Sequence, residues 1–222
     1  MKSLPRLLAA AAVLAAAQSA VAVTLPVNTF TTLPGTTVAA EPQLAGVVLE
    51  DQVQAFSFNN GSGMVSGTVQ SRVVRSSVDG TLDFYWRVIS DRSSAGNIDS
   101  FRLGRFVAPE YNGNWRSDGL GSVAPDAAYH FGVPSTAYVN FLFGHTQGDP
   151  TLAPGSESYF MLLDTTATSY AKTALYDMTV AGSGYISDSY ATFAPAVPEP
   201  SGYAMLLLGL AGVGMAAARR RG

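Results

Sequence analysis

The chain has 222 residues, no cysteine, and 13 Lys and Arg against 16 Asp and Glu. It therefore has no disulfide, no thiol nucleophile and no thiolate metal ligand. Between residues 23 and 196 eight basic side chains face fifteen acidic ones, which excludes nucleic acid as a partner, because phosphate binding needs a basic face.

At the start, Lys2 and Arg6 precede an apolar run from Leu7 to Ala17, and Ala20-Val21-Ala22 follows. Basic start, apolar core and a small-x-small site form a secretory signal, so residues 1–22 are expected to be removed by signal peptidase after Ala22, with Ala20 and Ala22 as its recognition residues. The apolar run is short for a permanent span, and no polar stripe interrupts it as in an amphipathic helix.

Residues 23–196 suit one domain. Leu25 to Glu41, rich in Thr, Pro and Val, reads as a first edge strand or an ordered lead-in. Strands follow at Gln52 to Phe58, Val65 to Val74 and Thr81 to Val88. In the last of these Leu82, Phe84, Trp86 and Val88 share one face, and Asp83, Tyr85 and Arg87 share the other, the period-two alternation of a half-buried strand. Ser76 to Gly80, with Asp79-Gly80 inside it, makes the second and third strands an antiparallel hairpin. Further strands are expected at Ile98 to Val107, Ala137 to Phe143, Ser158 to Leu163, Ala174 to Val180 and Tyr185 to Phe193, separated by turns rich in Asn and Gly. About eight strands and no strong helix predict an all-β fold, an antiparallel β-sandwich of jelly-roll kind.

Chemistry in this body is sparse. His130 and His145 are the only histidines, and their separation resembles no ligand motif, so they read as solvated or core residues; no metal and no cofactor is expected. Asp79 and Asp83, and Glu50 and Asp51, are the nearest carboxyl pairs; Asp79 is assigned to the hairpin turn and Asp83 to a solvated face. There is no Gly-x-Ser-x-Gly elbow, and Gly61-Ser62-Gly63 leads into a strand, where phosphate binding needs a helix. Tyr111-Asn112-Gly113-Asn114-Trp115-Arg116 reads as a loop. Tyr111 and Trp115 either stack on a sugar ring there or fold back to cover the sandwich edge.

The C-terminal end is the most informative. Pro198-Glu199-Pro200 holds the backbone extended, since proline fixes its own φ and restrains the residue before it; a protease can thread such a segment. Gly202 to Ala218 carries no charge and as a helix is roughly 25 Å long, enough to cross a hydrocarbon core. Arg219, Arg220 and Arg221 then keep the terminus cytoplasmic, with the body across the membrane. An Arg-capped helix alone would also serve as a permanent anchor.

Val197-Pro198-Glu199-Pro200-Ser201, the apolar stretch with Leu206-Leu207-Leu208-Gly209 and the terminal Arg cluster closely resemble the PEP-CTERM sorting tails. The resemblance covers 197–222 and implies a Gram-negative host and recognition by an exosortase, a membrane-embedded protease that cleaves near the Pro198, Glu199, Pro200 element. It further implies a transient inner-membrane intermediate with the body in the periplasm, then display at the cell surface or secretion, in bacteria that make extracellular polysaccharide. With no catalytic motif in the body, the expected role is structural and non-enzymatic; the alternatives are a carbohydrate-binding module built on Tyr111 and Trp115, and a secreted hydrolase.

Overall fold

The structure, a computed structural model, describes residues 21–108, 110–132 and 138–196. The expected signal segment up to Ala20 and the sorting tail from Val197 lie outside them. Among the described residues there are twelve strands: β1 (Val23–Thr24), β2 (Phe30–Thr32), β3 (Gly46–Asn59), β4 (Met64–Ser76), β5 (Leu82–Ser90), β6 (Ile98–Gly104), β7 (Asn112–Arg116), β8 (Ala127–Phe131), β9 (Tyr138–Leu142), β10 (Phe160–Asp164), β11 (Tyr170–Val180) and β12 (Tyr190–Pro195). The helical element among the described residues is a single 3-10 turn, Pro42–Leu44.

The strands form two six-stranded sheets. The first has the order β1-β7-β10-β5-β4-β3 and the second β12-β11-β6-β9-β8-β2, and every ladder between named strands is antiparallel. The all-β antiparallel sandwich is therefore as the residue pattern predicts, with twelve strands where the alternation marks eight. β4 and β5 form the expected hairpin, with Val73 opposite Phe84 and Ser71 opposite Trp86. Its turn closes as the sequence suggests: the Asp79 carboxylate accepts the Thr81 N–H at 3.0 Å and the Thr81 hydroxyl at 2.6 Å.

The core lies between the sheets. The inward row of β5 (Leu82, Phe84, Trp86, Val88) meets Phe101, Phe106 and Tyr176, all buried. Phe84 and Trp86 both pack edge-on against Phe106, at 5.1 and 5.7 Å. One polar thread crosses the core: Trp86 Nε1 donates to the Thr192 hydroxyl at 2.8 Å, which donates to Ser71 at 3.2 Å, joining β5, β12 and β4. A buried indole N–H needs such a partner.

Candidate functional site: the outer face of the first sheet

The outer face of the first sheet gathers polar side chains from four of its strands. Cross-strand register builds it in rows. Arg72 on β4 stands opposite Tyr85 on β5, which stands opposite Leu162 on β10 and, beyond it, Asn114 on β7. One row along, Phe160 stands opposite Arg116, and the guanidinium groups of Arg72 and Arg87 lie over its ring at 4.9 and 5.4 Å. In the third row Val74, Asp83, Asp164 and Asn112 follow one another across four strands.

Part of this face is roofed by chain from far away in sequence. The Pro42–Leu44 turn lays Leu44 against Val74, Tyr85, Phe160 and Leu162 as a second small core, and the Tyr85 hydroxyl donates to the Leu44 carbonyl at 3.1 Å. Beside the roof is a cleft of about 160 Å³ lined by Arg72, Val74, Tyr85, Arg116, Leu120 and Phe160. Each arginine of the face has an acidic partner at the rim: Asp51 at 2.7 Å for Arg72, Glu157 at 3.4 Å for Arg87 and Asp118 at 2.5 Å for Arg116. Burial works against ionising Asp51 and Asp118. Hydrogen bonds from Arg72 and Gln70 to the first, and from Arg116 and the Val38 N–H to the second, outweigh it, and both carboxyls are held below their ordinary range. The Nε–H groups of Arg72 and Arg87 are buried and have no partner among the described residues.

Asp83 corrects the sequence reading. Alternation does put it on the outer face, but that face is not solvated there: Asp83 is 0 % exposed and neither carboxyl oxygen has a hydrogen-bond partner among the described residues. Burial first, and then the Asp164 charge across the ladder, push it up to about 9, with Asp79 and Glu41 adding to the effect. Asp164 is also raised, by burial and by the charges of Glu41 and Asp79. Asp83 therefore holds its proton at neutral pH. Glu41, at the start of the roof, is 2 % exposed, and its Oε2 has no partner among the described residues.

Tyr111 precedes β7 and Trp115 lies within it, so the expected loop is largely a strand, held between β10 and the first residues of the fold. Both rings are half-buried and pack against the main core. The Tyr111 hydroxyl donates to the Phe106 carbonyl at 2.6 Å and its ring lies 4.3 Å from His130. Trp115 donates from Nε1 to the Leu33 carbonyl at 3.2 Å and packs on Tyr159 at 4.9 Å. Gly35, at φ +78°, makes room for that indole: a Cβ there would come within 2.5 Å of it.

The two histidines play separate parts. His130 is buried with Nδ1 3.1 Å from the Leu25 carbonyl, whereas His145 is exposed and stacks on Phe30 at 4.3 Å. Among the described residues no three His, Asp or Glu side chains come together in a way that could hold a metal ion. Of the expected processing residues, Ala22 is described: its N–H donates to Glu41 Oε1 at 2.7 Å. Ala20, Pro198, Glu199, Pro200, Arg219, Arg220 and Arg221 lie outside the described residues, as do the expected signal and membrane helices; among the described residues no helix is long and apolar enough to cross a membrane.

Arg72, Arg87 and Arg116 were visible as polar positions on the outer face of predicted strands or in the Tyr111 segment. Their convergence on Phe160 was not, because it depends on the order of strands in the sheet. Glu41, in a segment without periodicity, gave no signal of its own.

Fold and face together define a double-sheet antiparallel sandwich whose polar outer groups are largely engaged with one another. Neither a curated protein nor a solved structure matches the chain. The family model of the PEP-CTERM protein-sorting motif matches residues 196–221, beginning where β12 ends, and the chain is a PEP-CTERM protein by that tail. The motif marks it as an exported protein, sorted to the cell envelope by an exosortase.

Proposed function

We propose that the body is a non-enzymatic, structural component of the cell surface or extracellular matrix. On this reading signal peptidase releases the body after Ala22, the tail holds it transiently in the inner membrane with the sandwich on the periplasmic side, and an exosortase frees it. The observation that carries the non-enzymatic part is the burial of Asp83 at 0 % exposure: the most perturbed carboxyl among the described residues is closed off from any substrate, while its neighbour Asp164 is partly buried. A structural role is further favoured by β3, a fourteen-residue strand at the edge of the first sheet with Val47 and Val53 exposed, since open edges of this kind support lateral association.

Lys172 is exposed and is the single lysine between residues 23 and 196. An amine-reactive label that cannot cross membranes, applied to intact cells, is expected to tag it. Labelling that requires prior rupture of the envelope contradicts surface display.

Carbohydrate binding is the second reading, favoured by the cleft. Its apolar wall of Val74 and Leu120 beside the guanidinium groups of Arg72 and Arg116 suits a hydroxyl- or carboxylate-bearing polymer. Retention on extracellular polysaccharide that falls with Arg116→Ala, and stays with Trp115→Phe, supports this cleft over the Tyr111 and Trp115 rings; no retention of the unaltered protein removes both.

A further inference from the structure

We propose that the buried Glu41 carboxylate is the receptor for the α-ammonium group that signal removal creates at Val23. The proposal rests on the reading that the chain is cut after Ala22.

A carboxylate 2 % exposed needs its lone pairs matched. Glu41 Oε1 has two partners, the Ala22 N–H at 2.7 Å and Gln43 Nε2 at 3.2 Å; Oε2 is buried with none among the described residues. No ion pair between Glu41 and a lysine or arginine is present among those residues. Its charged neighbours are carboxyls: Asp83 on β5, Asp164 on β10 and Asp79 in the β4–β5 turn all feel its charge or each other's. Arg75, beside the Asp79 turn, gives its guanidinium to the Gly80 and Thr168 carbonyls, so among the described residues no cation is paired with this cluster.

Cleavage after Ala22 supplies one at the right place. It removes the Ala22 N–H, the shorter of the two contacts to Glu41, and leaves the Val23 nitrogen one residue further on, within about 4 Å along the backbone of the nitrogen it replaces. The terminus is held there and not frayed. Val23 and Thr24 pair with Gly113 and Asn112, the Leu25 N–H donates to the Tyr111 carbonyl at 2.8 Å, and the Leu25 side chain is buried against Gly113. Antiparallel alternation puts Val23 in a hydrogen-bonded position like Leu25, so one proton of the ammonium serves the Gly113 carbonyl and two remain. An ammonium offers three donors and a positive charge where the amide of Ala22 offered one neutral donor. Processing thus completes the acidic corner of the fold.

The test uses protein exported and processed by its own cell. N-terminal sequencing comes first: Val23 is expected, and any other first residue removes the premise and the proposal with it. The α-amine of that protein, labelled uniformly with carbon-13, is then titrated by NMR through the Val23 Cα shift, which leaves all three N–H donors in place. Its midpoint is expected at least one unit above the ordinary value of about 8 for an α-amine, and Glu41→Gln is expected to return it there. Selective acetylation of the α-amine is expected to lower the melting temperature of the unaltered protein by several degrees and to leave that of Glu41→Gln within a degree. Val23 with an ordinary amine midpoint overturns the proposal while leaving the cleavage reading intact, and this holds even where Glu41→Gln does not fold. Equal destabilisation of both proteins by acetylation overturns it as well.

Discussion

Replacing Asp83 by Asn should make the protein more stable at neutral pH and less sensitive to alkali. In the unfolded chain Asp83 ionises near pH 4; in the fold, burial and then Asp164 push it up to about 9. Between those two values the folded state binds a proton that the unfolded state does not. Stability therefore falls as pH rises from about 4 to about 9 and is flat with respect to this group outside that window. Each unit of pH inside it costs at most about 1.4 kcal/mol, so about 4 kcal/mol is the ceiling at pH 7. Asn has the same shape, carries no charge at any of these pH values, and can donate its amide to the Asp164 carboxylate opposite. We expect Asp83→Asn to gain about 1–3 kcal/mol at pH 7.5, most of that gain vanishing by pH 4.5. Urea unfolding of both proteins at half-unit steps from pH 4.5 to 9 measures it, and the difference between the two curves removes the contributions that both proteins share. A difference that does not grow with pH, or a variant less stable throughout, refutes the reasoning.

Other perturbations probe the core and the two aromatic anchors. Trp86→Phe removes the indole N–H that donates to Thr192 at 2.8 Å along with part of the largest fully buried side chain, and should lower the urea midpoint by an amount worth about 2–3 kcal/mol. Thr192→Val leaves that N–H buried without an acceptor and should cost about 1–3 kcal/mol, with little change in m-value. Gly35→Ala places a Cβ within 2.5 Å of the Trp115 ring at a φ of +78°; a loss of about 1 kcal/mol or more is expected, together with a shift in tryptophan emission, and unchanged emission would mean that the indole does not pack there.

The hairpin was legible because Leu82 to Val88 and Val65 to Val74 alternate cleanly and a strong turn sequence joins them, all local information. β7 was not, because Asn112, Gly113 and Asn114 are poor strand formers by themselves. Tertiary contacts hold them. Gly113 lets Leu25 approach, where a Cβ would meet it at 2.9 Å, and the fully buried Asn114 side chain accepts the Gly35 N–H at 2.8 Å. β8, an Ala-Ala-Tyr-His-Phe segment, has too few bulky residues to show a period. Alternation placed Asp83 on the correct face but could not reveal its burial, since neighbours such as Glu41 and Asp164 come from distant parts of the sequence. The sorting motif, by contrast, was readable from residue order alone, because the proline-rich motif, the apolar run and the arginine cluster that make it up follow one another in sequence.

The most direct test of export and sorting is intact-mass spectrometry of the protein recovered from the membrane and from outside the cell. The account predicts a membrane form that begins at Val23 and still carries the tail, and an outer form whose C-terminus lies near Pro198. A steady-state population that retains Arg221 in every fraction contradicts it and makes the tail a permanent anchor.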